Sequence, residues 1–350
     1  MENKLLTRRQ VGLLIAQTLL GAILLWIWLR AVNLQAVGQI LSQANRGFVL
    51  AAAGLLASNG LLRAGRWRRV LRPIVTLPLW ELWMINAASS LINFVVPLRT
   101  TEIAKSLLLK YRRQVPVAAS LPTVAIDRAF DLVAVLTLGI VGGLVGVHLS
   151  NRLALVILAG GGLLVSFIVL IGLTLWSRGS LLALLTRLLP KQLNETLRQR
   201  ILTVGESFLR GLATAAQRPR DLALMLGLSL VAILNDALGL YLLFLSLNIR
   251  VNFAVVATGF GLLTLSFIVP GAPGYIGSTE AFGLLIFVTL GIEKDLAAGV
   301  VLLNHALTSS LFVGLGLISL WALRLPPKES SDPKGLTKHT QSVPKRERDL

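Results

Sequence analysis

Long apolar runs fix what this chain can fold into. Nine fall at residues 11–29, 47–62, 79–97, 117–149, 153–176, 222–247, 253–270, 280–290 and 296–323. Most reach the roughly 18 residues that cross a hydrocarbon core of ~30 Å. Lipid offers no hydrogen bonds to the backbone, so each run must satisfy its own amides and carbonyls as a helix. The expected fold class is all-α, a polytopic membrane helix bundle. Charged residues are only 14% of the 350, against about a quarter in soluble domains. The net charge of +18 does not indicate a nucleic-acid partner, because the basic residues sit beside apolar spans instead of forming a soluble basic domain. The absence of cysteine excludes disulfides, thiol chemistry and Cys-ligated metal.

The first run follows Lys4, Arg8 and Arg9, as the core of a secretory signal would. It is as long as a full span, however, and Arg30-Ala31-Val32-Asn33 is a poor small-residue cleavage site. Trp26 and Trp28 stand where an aromatic belt belongs. The reading is an uncleaved first helix.

Two apolar stretches carry breaks on the same plan. In residues 91–109, Phe94-Val95-Val96-Pro97 is followed by Arg99 and Glu102. In residues 265–286, Phe267-Ile268-Val269-Pro270 is followed by Glu280. Proline removes a backbone donor and breaks a helix, and the freed polar groups at membrane depth must face protein or a wet cavity. Gly271, Pro273, Gly274 and Gly277 let the backbone turn there. Interruptions at corresponding positions of two halves point to a substrate site near the bilayer midplane.

The placement of Lys and Arg gives orientation. Most of the 34 fall in five segments: the N-terminus, residues 63–72, residues 99–113, a connector over 178–220, and the tail from Arg324. The positive-inside rule places all five in the cytoplasm, with both termini. Residues 79–110 then begin and end inside, while residues 253–291 begin after Arg250 and end before Lys294, both outside. Each stretch must enter and return, giving two re-entrant or broken hairpins in inverted orientation. Residues 1–326 form one transmembrane domain. Within its connector, residues 191–212 carry an apolar stripe (Leu193, Leu197, Ile201, Val204, Phe208, Leu212) with Arg198, Arg200 and Arg210, the pattern of an amphipathic surface helix beside an anionic lipid surface. Residues 327–350 are polar and proline-bearing, a disordered cytoplasmic tail.

Ionisable groups inside spans are costly and mark functional paths. Asp127, Arg128 and Asp131 lie within an apolar run at spacings that let them share one helix face. With two acids and one base, one carboxylate is left for another partner, a substrate or a proton. They serve as a path or as a structural ion pair. Arg99, beside exposed backbone amides, suits a phosphate or serves as a positive-inside anchor. Glu102 and Glu280 cap helix starts or meet a cationic headgroup. Around Glu280, the hydroxyls of Ser278 and Thr279 are candidate N-caps. Asn235-Asp236 and Asn304-His305 are candidate helix-to-helix hydrogen bonds. The loop 271–277 lacks the spacing of a nucleotide-binding fingerprint, and neither a catalytic triad nor a metal motif is present. No cofactor is expected.

Three stretches carry a resemblance: Pro97-Leu98-Arg99-Thr100-Thr101-Glu102, Ala125-Ile126-Asp127-Arg128-Ala129-Phe130-Asp131, and Val269 to Glu280. Together they resemble the flippase-like transmembrane family of bacterial lysyl-phosphatidylglycerol synthases, found also as stand-alone proteins in bacteria and archaea. Thr101 stands where the family pattern has glycine, and Asp127 where it has glutamate. The resemblance implies an integral protein of a prokaryotic inner membrane that moves a phospholipid or lipid-linked headgroup between leaflets. The alternative is a non-transporting partner of a glycosyltransferase or lipid-synthesis enzyme.

Overall fold

The computed structural model describes residues 8–96, 101–146, 219–267 and 271–324, with isolated positions between 162 and 206. Pro97, Arg99, Pro270 and the tail 327–350 lie outside the described residues, as does all but those isolated positions of the expected span 153–176 and surface helix 191–212. Every described element is helical. α1 (Arg8–Ala31) bends by 85° into α2 (Leu34–Ser42). The bend is built from Asn33, whose side chain accepts from the N–H groups of Gln35 and Ala36 and so caps α2. Asn45 caps α3 (Arg46–Leu71) in the same way through Gly47.

α3 corrects the sequence reading, which ended this span at residue 62. The helix continues through Arg63 and Arg66 to Leu71, because acids on other helices neutralise both arginines inside the bundle. α4 (Leu79–Val95) then stops at the first break, and α5 (Thr101–Arg113) follows it. α5 runs back alongside α4. The Arg113 guanidinium, at the far end of α5, donates to both oxygens of Glu81 in the first turn of α4, at 2.8 and 2.5 Å. α6 (Val117–Gly146) and α7 (Pro219–Ser246) are long, and α8 (Phe253–Ser266) leads to the second break. A 3-10 turn (Pro273–Tyr275) and α9 (Ser278–Thr289) come after it, and α10 (Lys294–Leu323) closes the described chain. α9 packs back on α8: the Phe287 ring, near the end of α9, lies so close to Gly259 that a Cβ there would sit 2.3 Å away.

Four helices, Arg46–Leu71, Val117–Val145, Arg220–Ser246 and Lys294–Leu323, are long and apolar enough to cross a membrane, and the bent α1–α2 pair makes a fifth candidate. The bundle is therefore polytopic. One core joins α1, α2 and α7 to α10 around Trp28, Phe244, Val256 and Phe287. Another joins α3, α4, α5 and the end of α10 around Trp67, Leu71, Leu82 and Leu109. Small residues let helices approach closely, as at Gly316, where a Cβ would lie 3.2 Å from the Ala87 carbonyl oxygen. Large side chains such as Leu50, Leu144, Leu285 and Trp321 point outward, while charge collects inside. A soluble protein shows the opposite arrangement.

Candidate functional site

α3, α5, α6 and α7 converge on one buried ion-pair network. Arg66 is its centre. Its Nε donates to Asp127 at 2.7 Å, and its Nη1 donates to Asp131 at 2.7 Å and to the Ser229 hydroxyl at 2.8 Å. Lys105 reaches the other oxygen of Asp127 at 3.2 Å and lies over the Trp67 ring, 5.0 Å from its centroid. Arg63 bridges Asp131 and Asp236, at 3.0 Å each. Arg128 turns away from this centre: its Nε donates to Glu102 at 2.7 Å, and its Nη1 stays 3.7 Å from Asp131.

Helical spacing explains the geometry. Arg63 and Arg66 are three apart on α3, and Asp127 and Asp131 are four apart on α6. Each pair therefore forms one row, and the two rows face each other. Four cations meet four carboxylates, so the formal charges cancel. Each charged group alone costs ~2.5–3.5 kcal/mol at a helix centre on insertion scales, and mutual pairing makes the set tolerable. The interior is closed: the Arg66 and Asp127 side chains are each 1% exposed. The Arg128–Glu102 pair is its open end, with side chains 41% and 29% exposed.

The structure thus revises the reading of the 127–131 motif. No carboxylate is spare. Asp127 and Asp131 are taken up by arginines of α3 and by Lys105, and Arg128 pairs with Glu102. Arg63, Arg66, Lys105 and Asp236 are network members that positive-inside sorting assigned to loops or left as simple helix contacts. The i, i+3 spacing of Arg63 and Arg66 after an apolar run puts those two on one helix face but names no partner, and Lys105 and Asp236 carry no such signal.

Glu280 belongs to a second cluster, built from α4, α9, α10 and the second break. One Glu280 oxygen accepts the Gly277 N–H at 2.7 Å. The other lies 2.5 Å from Nδ1 of His305 on α10, whose Nε2 lies 2.8 Å from the Gly274 carbonyl. The Ser278 and Thr279 hydroxyls do not cap α9. They donate back to the Tyr275 carbonyl, at 2.9 and 3.1 Å, and Gly277 occupies the cap position. Gly274, Tyr275 and Gly277 all adopt positive φ, at 71°, 56° and 81°. Asn93, on α4 just before the first break, donates to the Tyr275 hydroxyl at 2.9 Å. The end of α4 therefore meets the turn of the second break through side chains. Glu102 and Glu280, matched in sequence, sit in different clusters.

The transmembrane region of lysylphosphatidylglycerol synthase, as a family model, matches residues 10–316 of this chain. A UPF0104 membrane protein of Methanothermobacter thermautotrophicus is 27% identical over 279 residues, covering 76% of this chain and 79% of that protein. No solved structure matches the chain. The match runs through both breaks and every helix of both clusters, and the chain belongs to the lysylphosphatidylglycerol synthase transmembrane-region family.

Proposed function

We propose that this protein is a lipid translocase of a prokaryotic inner membrane, a transporter and not an enzyme. In this reading α4–α5 and α8–α9 are two hairpins inserted from opposite faces. A phospholipid or lipid-linked headgroup passes between them while its tails stay in lipid. The observation that carries the reading is the Arg128–Glu102 pair, the half-exposed end of an otherwise closed, charge-balanced network. A guanidinium binds phosphate with the same planar fork that binds carboxylate. An incoming anionic headgroup therefore competes with Glu102 for Arg128. Separately, at the end of α3, a groove of about 440 Å³ lined by Arg68, Arg69, Arg72, Thr76 and Leu79 offers positive charge to the same class of headgroup. Arg99 is assigned to the path on the sequence alone.

The test is purified protein in liposomes carrying fluorescent phospholipids of differing headgroup. The reading expects faster movement between leaflets for at least one anionic or lipid-linked species. It expects a loss of about tenfold or more in Arg128→Ala, the scale of one charge-assisted hydrogen bond of ~1.5–3 kcal/mol. Equal rates with and without protein, for every headgroup, contradict it.

A further inference from the structure

The His305–Glu280 contact can be decided by counting protons. The Gly274 carbonyl only accepts, so His305 Nε2 carries a hydrogen to make its 2.8 Å bond. His305 Nδ1 and Glu280 Oε1, 2.5 Å apart, need a second hydrogen between them. The remaining Glu280 oxygen accepts from the Gly277 N–H and holds no proton of its own. Both bonds of the ring thus exist together only when the pair holds one proton more than a neutral imidazole and a carboxylate. Without that proton the imidazole has a single hydrogen. It then serves Glu280 or Gly274, but not both, and an unprotonated Nδ1 opposite the carboxylate sets lone pair against lone pair.

The consequence falls on the second break. The turn holds positive φ at three positions, a conformation that is unfavourable for Tyr275. His305 is the side chain through which α10 grips both the turn, at Gly274, and the start of α9, at Glu280. Among the described residues, the titratable groups that bond to the imidazole or sit in the turn are Glu280 of α9 and Tyr275 of the turn itself. α1 brings Gly21, and α4 brings Asn93 and Phe94, none of them charged. On α4, Asn86 and Ser89 precede Asn93 at i, i+3 and i+7, one helix face about 10 Å long. Both amide atoms of Asn86 and the Ser89 hydroxyl are buried with no hydrogen-bond partner.

We propose that His305 and Glu280 form a proton-binding site that couples headgroup translocation to a proton gradient. The bound proton clamps the 271–277 turn to α10. Its departure releases one end of the clamp and frees the turn to move. This rests on the translocase reading for what is coupled, but the site itself is testable without any transport.

The chain lacks cysteine, so Ile276→Cys, at a half-exposed position of the turn, takes a single nitroxide label. Its electron paramagnetic resonance spectrum is followed from pH 5 to 9 in lipid nanodiscs. With His305 present, the label is immobile at low pH and gains mobility through one single-proton transition as pH rises. His305→Gln and Glu280→Gln abolish the transition; the latter keeps an acceptor for Gly277 but shares no proton. In liposomes, an imposed pH gradient changes the lipid movement rate several-fold in the wild type and leaves His305→Gln unchanged. A flat spectrum in the wild type, a transition that survives in His305→Gln, or lipid movement indifferent to the gradient overturns the proposal. If no lipid moves under any condition, the translocase reading fails by itself, and the label titration still decides the proton site.

Discussion

Arg66 shows how a single side chain can dictate where a helix ends. Its guanidinium makes three bonds to Asp127, Asp131 and Ser229 at 1% side-chain exposure, and a residue so held cannot serve as a loop. Removing it takes one cationic partner from each of two buried carboxylates, leaving Asp127 hydrogen-bonded to Lys105 and Asp131 to Arg63 alone. Arg66→Met is therefore expected to lower stability by about 3–5 kcal/mol, the cost of breaking a buried pair. Arg66→Lys recovers little, since an ammonium cannot reproduce the fork. Thermal unfolding in detergent reads both, and a shift of Arg66→Met no larger than that of an exposed substitution such as Arg68→Met would contradict the assignment. At this scale the acids were legible, because Asp127 and Asp131 interrupt an otherwise apolar run. The arginines were not. A rule that counts each Lys or Arg as a cytoplasmic marker cannot tell an anchor from an ion-pair partner, and partners on α6 and α7 are invisible from the spacing of α3.

Proline and glycine announced both interruptions, yet what holds the second one came from the fold. Gly277 adopts φ 81°, and a Cβ there would lie 2.0 Å from the Gly21 carbonyl oxygen of α1, a backbone atom that cannot yield. Gly274 has φ 71°, but its nearest neighbour is the rim of the Phe94 ring at 3.2 Å. Gly274→Ala is expected to cost about 1 kcal/mol, the conformational penalty alone. Gly277→Ala adds a backbone clash to that penalty, and the larger loss of unfolding temperature identifies it. Equal losses would mean that α1 does not press on the turn. The hydroxyls of Ser278 and Thr279 misled for a physical reason. Both are good cap formers, but once Gly277 takes the cap position they are already inside the helix and bond back to Tyr275.

Across the described residues, large apolar side chains face outward and eight charges cancel within four helices. The membrane bundle was plain in the hydropathy. The pairing was not, because ion pairs between residues 63 and 236 depend on tertiary packing. The halves of each broken stretch lie back to back, with Glu81 joined to Arg113 in one and Gly259 against Phe287 in the other. Insertion of these hairpins from opposite faces underlies the proposed route. Side-specific maleimide labelling of Thr76→Cys, Gln114→Cys, Arg250→Cys and Lys294→Cys in sealed vesicles tests it most directly. The first two flank α4–α5 and should label only from the cytoplasmic face; the last two flank α8–α9 and should label only from the other. All four labelling from one face, or either flanking pair split between the faces, would contradict opposed hairpins and the route between them.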